Sequence, residues 1–399
     1  MHLPKLERRP ELDALRGLFL VWMTITHLPT RFSDFVNQPL GFVTSAEGFV
    51  FISALLIGRL YSRELALDPH RIRAKLWKRS LKIYQYHLVM LALAFTIGAE
   101  IAIHTHKAGL VNLLNFYLAH PFVAITGSVL LLYCPPLLDI LPMYVTFLFF
   151  TPIVLTAAMR IGWRWVLAAS CLVWMLAQFG LRDVAHNWIV HITHLPIPLQ
   201  ETGAFNLFAW QALWTVGMWL GARSATPHMP LARIPGWAAG IAAAVCVFFV
   251  GVRFGWFGPH LTPQSLGLKL DKWQIGPLRV VNLVAFTVVA YWARRYVVPL
   301  FNREPFVTLG MASLRVFCAH IVIVFAGLTM LYGDFNPDGL DQLHGIPAIA
   351  LLACTFASLI WLASRQVRLK RLQKEQRKLR EMRAREAEEL PPVLAKTGT

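Results

Sequence analysis

Apolar residues along this chain fall in repeated blocks of roughly 17–25, separated by segments rich in charge, proline and glycine. A helix rising about 1.5 Å per residue needs that length to cross a hydrocarbon core of about 30 Å. The pattern predicts spans near 12–28, 40–60, 83–103, 137–159, 163–180, 206–222, 236–253, 279–296, 306–331 and 346–364. No stretch shows the period-2 alternation of a membrane barrel. The expected fold is therefore an all-α polytopic membrane protein, a bundle of about ten transmembrane helices. Between 104 and 136 the pattern weakens, because His104, His106, Asn112, Asn115 and His120 dilute it and Pro135-Pro136 interrupts it. An interfacial or re-entrant segment is expected there.

Composition agrees: of 399 residues, 56% are hydrophobic and only 15% charged, outside the usual range of soluble globular chains. Lys5, Arg8 and Arg9 precede the first apolar run as in a signal peptide, but Asp13 and Arg16 interrupt that run and no small-x-small cleavage site follows. It reads as a retained first span. With the N-terminus in the cytoplasm, inner segments collect 29 cations and outer segments 7, leaving Arg16 and Arg315 inside spans. The positive-inside rule demands this asymmetry, and an even span count puts both termini in the cytoplasm. The net charge of +17 thus reflects topology and anionic inner-leaflet lipid, and no nucleic-acid partner is expected. Two regions result: a membrane domain over 1–364 and a basic cytoplasmic tail over 365–399, partly helical and then disordered, which a surface-lying helix or a partner-binding one would both explain.

Ionisable groups inside spans are costly and normally face a cavity or each other, so they carry the chemical information. Arg16 and His27 are eleven residues apart, which returns to within about 20° of the same direction on a helix, and Asp13 falls within about 60° of Arg16. Together they form a polar stripe through the first span. Asp13 with Arg16 fits a structural ion pair equally well; His27, near the outer end beside Pro29, suits either a structural donor or a general base. Glu47 stands near the outer end of the second span and must be protonated, paired with an Arg or His, or wet. Arg71, Arg73, Lys75, Lys78, Arg79 and Lys82 lead into the third span, where positive charge serves topology or cradles a phosphate. His87 lies deeper. Asp139 opens the fourth span, and Ser313 and His320, seven residues apart, share a face of the ninth while Arg315 points elsewhere. So many intramembrane polar groups imply a hydrated cavity.

His186, His191 and His194 in an outer loop do not fall on one helical face, and no carboxylate completes a ligand set, so no metal is expected. Trp188, Trp256 and Trp273 suit sugar stacking or interfacial anchoring. The five cysteines sit singly in apolar surroundings and suggest neither disulfides nor zinc.

Leu12-Asp13-Ala14-Leu15-Arg16-Gly17 followed by His27 resembles the start of the membrane acyltransferase superfamily. Glu47 through Ser53 is similar to its aromatic-rich second span, and Lys78-Arg79-Ser80-Leu81-Lys82-Ile83-Tyr84 to its RxxR-Ile-Tyr entry to the third. A closer resemblance is to the OpgC branch, membrane proteins associated with succinylation of osmoregulated periplasmic glucans. It is carried by Arg79 through His87, Cys134 through Pro142, Phe205 through Gln211 with Trp210, and Leu309 through Cys318. Two positions depart from the superfamily: Lys82 replaces the second arginine of RxxR, giving a point charge instead of a planar fork, and Ala54 stands where glycine is common.

The resemblance implies a multi-pass protein of a bacterial inner membrane, a cytoplasmic acyl-CoA donor bound by Arg73, Lys75, Lys78, Arg79 and Lys82, and a carbohydrate acceptor on the periplasmic side. The acyl group expected is succinyl or acetyl. Arg315, Ser313, Trp210 and Gln211 are then substrate-binding candidates. His27 is the expected base for the acceptor hydroxyl, with His87 and His320 as competing bases. Glu47 or Asp139 would support the imidazolium, and Arg16 or Arg315 would stabilise an oxyanion or bind a free acyl carboxylate. Direct transfer and an acyl-histidine route are both open. The rival class is a transporter or channel using the same polar pathway, although no inverted hydropathy repeat is visible.

Overall fold

The computed structural model describes residues 9–225, 233–258, 260–330 and 342–389. Seventeen α-helices form among them: α1 Pro10–His27, α2 Phe32–Val36, α3 Ser45–Leu67, α4 Pro69–Leu93, α5 Ala99–Thr105, α6 Ala108–Ala119, α7 Pro121–Val129, α8 Ile140–Ile161 and α9 Trp163–Gln178; then α10 Leu181–Thr193, α11 Leu207–Ser224, α12 Gly236–Arg253, α13 Pro263–Leu266, α14 Pro277–Phe301, α15 Phe306–Met311, α16 Ser313–Leu328 and α17 Gly345–Glu389. No β-strand forms among the described residues.

A helix occupies each of the ten predicted segments, and the protein is a multi-pass, all-α membrane protein. By length and composition, five helical segments are long and apolar enough to cross a membrane: Pro69–Thr105, Ile140–Ile161, Gly236–Arg253, Pro277–Phe301 and Gly345–Arg383. The count rises to seven if α6 with α7, bent by 93°, and α9 with α10, bent by 81°, each make one broken span. The first bend falls at His120-Pro121, within the segment where the hydropathy pattern weakens. The second falls at Gly180, whose φ of 87° is open to glycine, and it gives the 181–193 stretch helical structure where the sequence suggests only a loop. α17 runs unbroken through the expected 364/365 boundary, so the backbone of the tail continues the last span as far as Glu389.

Close helix approach at small residues holds the interior together. A Cβ placed on Gly17 of α1 would fall on the carbonyl oxygen of Phe306, and one on Gly310 of α15 would fall on that of Asp13. α1 and α15 thus touch backbone to backbone. α3 and α11 meet in the same way, with Gly58 against the Met218 carbonyl and Gly221 against that of Leu55. Ala54 is fully buried there, and a Cβ on its partner Gly217 would come within 2.8 Å of the Ala54 methyl. The missing glycine of α3 is therefore matched by a glycine on the facing helix.

At one end of α3, Thr44 caps the helix and Glu47 bonds back to the Thr44 amide, 2.9 Å away, and to its hydroxyl. The other carboxylate oxygen of Glu47 accepts from Arg279 Nε at 2.6 Å, and Arg279 also donates to the Leu270 carbonyl at 3.2 Å. Both side chains are almost wholly buried, at 1% and 2% exposure. This pair ties α3 to the start of α14 and to the loop that carries Lys272 and Trp273.

The α1–α15 contact leaves no room for a side chain, which makes it testable. Gly17→Val and Gly310→Val are expected to destabilise the fold by about 1–3 kcal/mol or more through overpacking. Gly240→Ala, with open space around the added carbon, is the neutral control. Thermal unfolding followed by fluorescence size-exclusion in detergent checks this; equal stability of all three variants contradicts the backbone contact.

Candidate functional site

Two cavities open in the bundle, and the direction of each helix places them at opposite ends. The first, about 300 Å³, is lined by Arg16 from the early part of α1, Ser53 and Ile57 from the later part of α3, and Arg79 and Lys82 from α4. Arg315 of α16 and Gln366 and Lys370 of α17 complete its charged and polar wall, with Tyr86 and Tyr144 beside them. Among the described residues, five cations and no carboxylate line it. Arg16 donates to Ser313 Oγ at 2.5 Å and sits over the Phe49 ring, 5.5 Å from its centroid. Arg315 Nε donates to the Tyr86 hydroxyl at 3.1 Å. Such a wall suits a polyanion with several phosphate groups, because each cation offers charge-assisted hydrogen bonds and repels its neighbours when the site is empty of anions.

The second cavity, about 460 Å³, is lined by the last residues of α1, including Trp22 and His27, and by Thr44 to Ala46 at the start of α3. Asn37, Gln38, Asn112 and Gln200 supply amides, Trp273 and Phe205 add rings to that of Trp22, and Asp139, Glu201 and Lys272 supply charge. Rings beside many neutral donors and acceptors suit a polar, ring-shaped ligand with hydroxyl groups. Lys272 Nζ lies 4.4 Å from the Trp273 ring centroid. Burial pushes the Lys272 ammonium below its ordinary range, while Glu47 and Asp139 act in the opposite direction. Asp139 Oδ2 accepts from the Ala204 amide at 3.0 Å, which fixes the 203–205 turn on the cavity wall.

His27 Nδ1 lies 3.2 Å from Nε2 of His320, and the two rings stack at 5.5 Å and 17°. Ile140 and Phe317 line both cavities. They form the partition between them. Along α1, Arg16 and His27 are separated by eleven residues, about 16 Å of helix, with one at each cavity.

The predicted site residues divide accordingly. Arg16, Arg79, Lys82, Ser313 and Arg315 come together in the first cavity, and His27 and Asp139 in the second. His320 is fully buried behind His27. Other candidates are placed elsewhere. Glu47 spends its hydrogen bonds on Thr44 and Arg279, so its carboxylate holds the fold and not the imidazole. Lys75 pairs with Glu64 at 3.0 Å and Arg73 reaches Thr156 at 3.5 Å; neither these nor Lys78 line the cationic cavity. Trp210 is buried and donates to the Trp273 carbonyl at 3.0 Å, while Gln211 bonds Ser170 across α9 and α11, so both serve helix packing and line neither cavity. His87 is fully buried and lines neither cavity. No cluster of metal-ligating residues occurs among the described residues.

Sequence reasoning missed Arg279, counted only as an outer-loop charge, and Lys370, assigned to the tail. The signal for Lys370 was its position on the unbroken helical continuation of the last span. Nothing local marks Arg279 as the partner of a carboxylate 232 residues away.

No curated protein and no solved structure matches the chain. The family described as OpgC protein matches it over residues 8–371, a range that takes in both cavities, the partition between them and Lys370 of α17. The chain belongs to the OpgC family.

Proposed function

We propose that this protein is a membrane O-acyltransferase of a bacterial inner membrane, moving a succinyl or acetyl group from cytoplasmic acyl-CoA to a hydroxyl of a periplasmic glucan or related envelope carbohydrate. The observation that carries it is the pair of unlike cavities meeting at Ile140 and Phe317. One wall is cationic and suits the nucleotide phosphates of a coenzyme; the other is aromatic and amide-rich and suits a sugar. The arrangement is also what the cation asymmetry favours, with ten spans, both termini in the cytoplasm and the cationic cavity on that side.

In this scheme Arg79, Lys82 and Lys370 hold the phosphates, and the pantetheine arm runs past Arg16 toward the partition. The thioester carbon then reaches His27. His27 takes the proton from the acceptor hydroxyl as its oxygen attacks that carbon. When the C–S bond breaks, the imidazolium returns the proton to the leaving thiolate, so ester and free CoA thiol are the products. Trp22 and Trp273 position the sugar ring against His27, and the amides around them bind its hydroxyls.

Two measurements bear on this. Arg79→Ala and Lys82→Ala are expected to raise KM for acyl-CoA about tenfold or more while kcat is largely kept, since they act on donor binding. A loss of kcat at saturating donor instead puts them at the reacting centre. His27→Ala is expected to lower kcat by about 10²–10⁴-fold, the usual contribution of a general base, with folding intact. His27→Gln keeps hydrogen-bonding capacity yet cannot take the proton, so it should be nearly as inactive. CoA thiol release from succinyl- or acetyl-CoA in the presence of glucan oligosaccharides is the assay. Wild-type protein that releases no thiol from either donor, or His27→Gln with normal turnover, contradicts the assignment; the former outcome favours a transporter.

A further inference from the structure

An imidazole acts as a base through one ring nitrogen only, and the other must be held in the tautomer that leaves that lone pair free. Nδ1 of His27 faces Nε2 of His320 at 3.2 Å, with the rings nearly parallel. Two neutral arrangements satisfy this contact. If His320 donates, His27 carries its proton on Nε2 and has no lone pair for the cavity it lines. If His27 donates from Nδ1, its Nε2 is the free base and His320 carries its own proton on Nδ1. Only the second is competent for proton abstraction.

Two of the carboxylates at this end, Glu47 and Asp139, are engaged. Glu47 is bonded to Thr44 and Arg279, and Asp139 to the Ala204 amide. His320 itself is fully buried and lines neither cavity, so it is in no position to meet the acceptor. Phe317 packs edge-on against it at 4.9 Å, fixing the ring from one turn away on α16. The Phe317 backbone interacts with the same ring, an acceptor for the Nδ1 proton that the second arrangement places there.

We infer that His320 is a positioning residue for His27: it accepts the Nδ1 hydrogen bond, fixes the tautomer and ring angle, and takes no proton itself. This inference rests on the assignment of His27 as the base. The pair takes the place of the histidine and carboxylate of a hydrolytic triad with an uncharged partner suited to a buried site.

The test uses the full chain purified in detergent, the CoA-release assay with succinyl-CoA and glucan oligosaccharides, and three variants. His320→Leu fills the space and offers no acceptor; His320→Gln presents an amide oxygen to Nδ1 of His27. For His320→Leu, kcat is expected to fall about 10²-fold or more, with donor KM unchanged and the protein still monodisperse. His320→Gln is expected to recover at least about tenfold of that loss, a rescue that a purely structural role would not produce. If His320→Leu does not yield monodisperse protein, His320→Met, also without an acceptor of useful strength, takes its place in the comparison. Wild-type kcat in the variant lacking an acceptor, or no gain in His320→Gln over it, overturns the positioning role while leaving His27 as base if His27→Ala is inactive. Normal turnover in His27→Ala overturns both.

Discussion

A guanidinium inside a lipid-spanning bundle must find a substitute for bulk water, and the solution adopted for Arg16 governs much of this structure. Its substitutes are a hydroxyl from Ser313, the π face of Phe49 and the open volume of the first cavity. Helix α1 can bring Arg16 to that place only because Gly17 and Gly310 let α1 and α15 touch at the backbone, and α15 leads directly into α16 with Ser313. Once one cation is housed this way, Arg79, Lys82, Arg315 and Lys370 converge on the same volume from three more helices. Their mutual repulsion is tolerable in a hydrated space and is relieved by an anion. A cavity with this wall is thus suited to a polyanion.

The opposite end obeys a different rule. There the charges are few and partly matched, the Glu47–Arg279 pair being sealed by a cap and a backbone carbonyl. Breaking so buried a pair would leave a lone charge, which explains why it sits in the wall and not in the cavity. By anchoring the loop of Lys272 and Trp273 to α3, it fixes the rim around His27. Beside the charges of Asp139, Glu201 and Lys272, the cavity wall is neutral: imidazole, amides, hydroxyls and indole rings.

Much of this was legible in one dimension. The eleven-residue spacing of Arg16 and His27 and the seven-residue spacing of Ser313 and His320 each define a stripe, and in the fold the stripes face each other, Arg16 against Ser313 and His27 against His320. Apolar blocks located a helix at each expected span, because hydrophobic length is a local property. Pairings across the chain were not legible. Glu47 gives no hint of choosing Arg279, and Trp210 and Gln211 look like ligand-binding residues until the Trp273 carbonyl claims the one and the packing of α9 on α11 the other. Ala54 breaks a small-residue pattern on its own helix, and only the facing Gly217 shows the space being made elsewhere.

The proposed function requires one bundle to join a donor cavity at one face to an acceptor cavity at the other. Sided proteoliposomes measure this most directly, with succinyl-CoA confined to the compartment facing the cationic cavity and a glucan oligosaccharide confined to the compartment facing His27. Mass spectrometry of the oligosaccharide should show an added succinyl ester that depends on intact His27, with free CoA appearing only on the donor side. Transfer that occurs only when donor and acceptor share one compartment would contradict it.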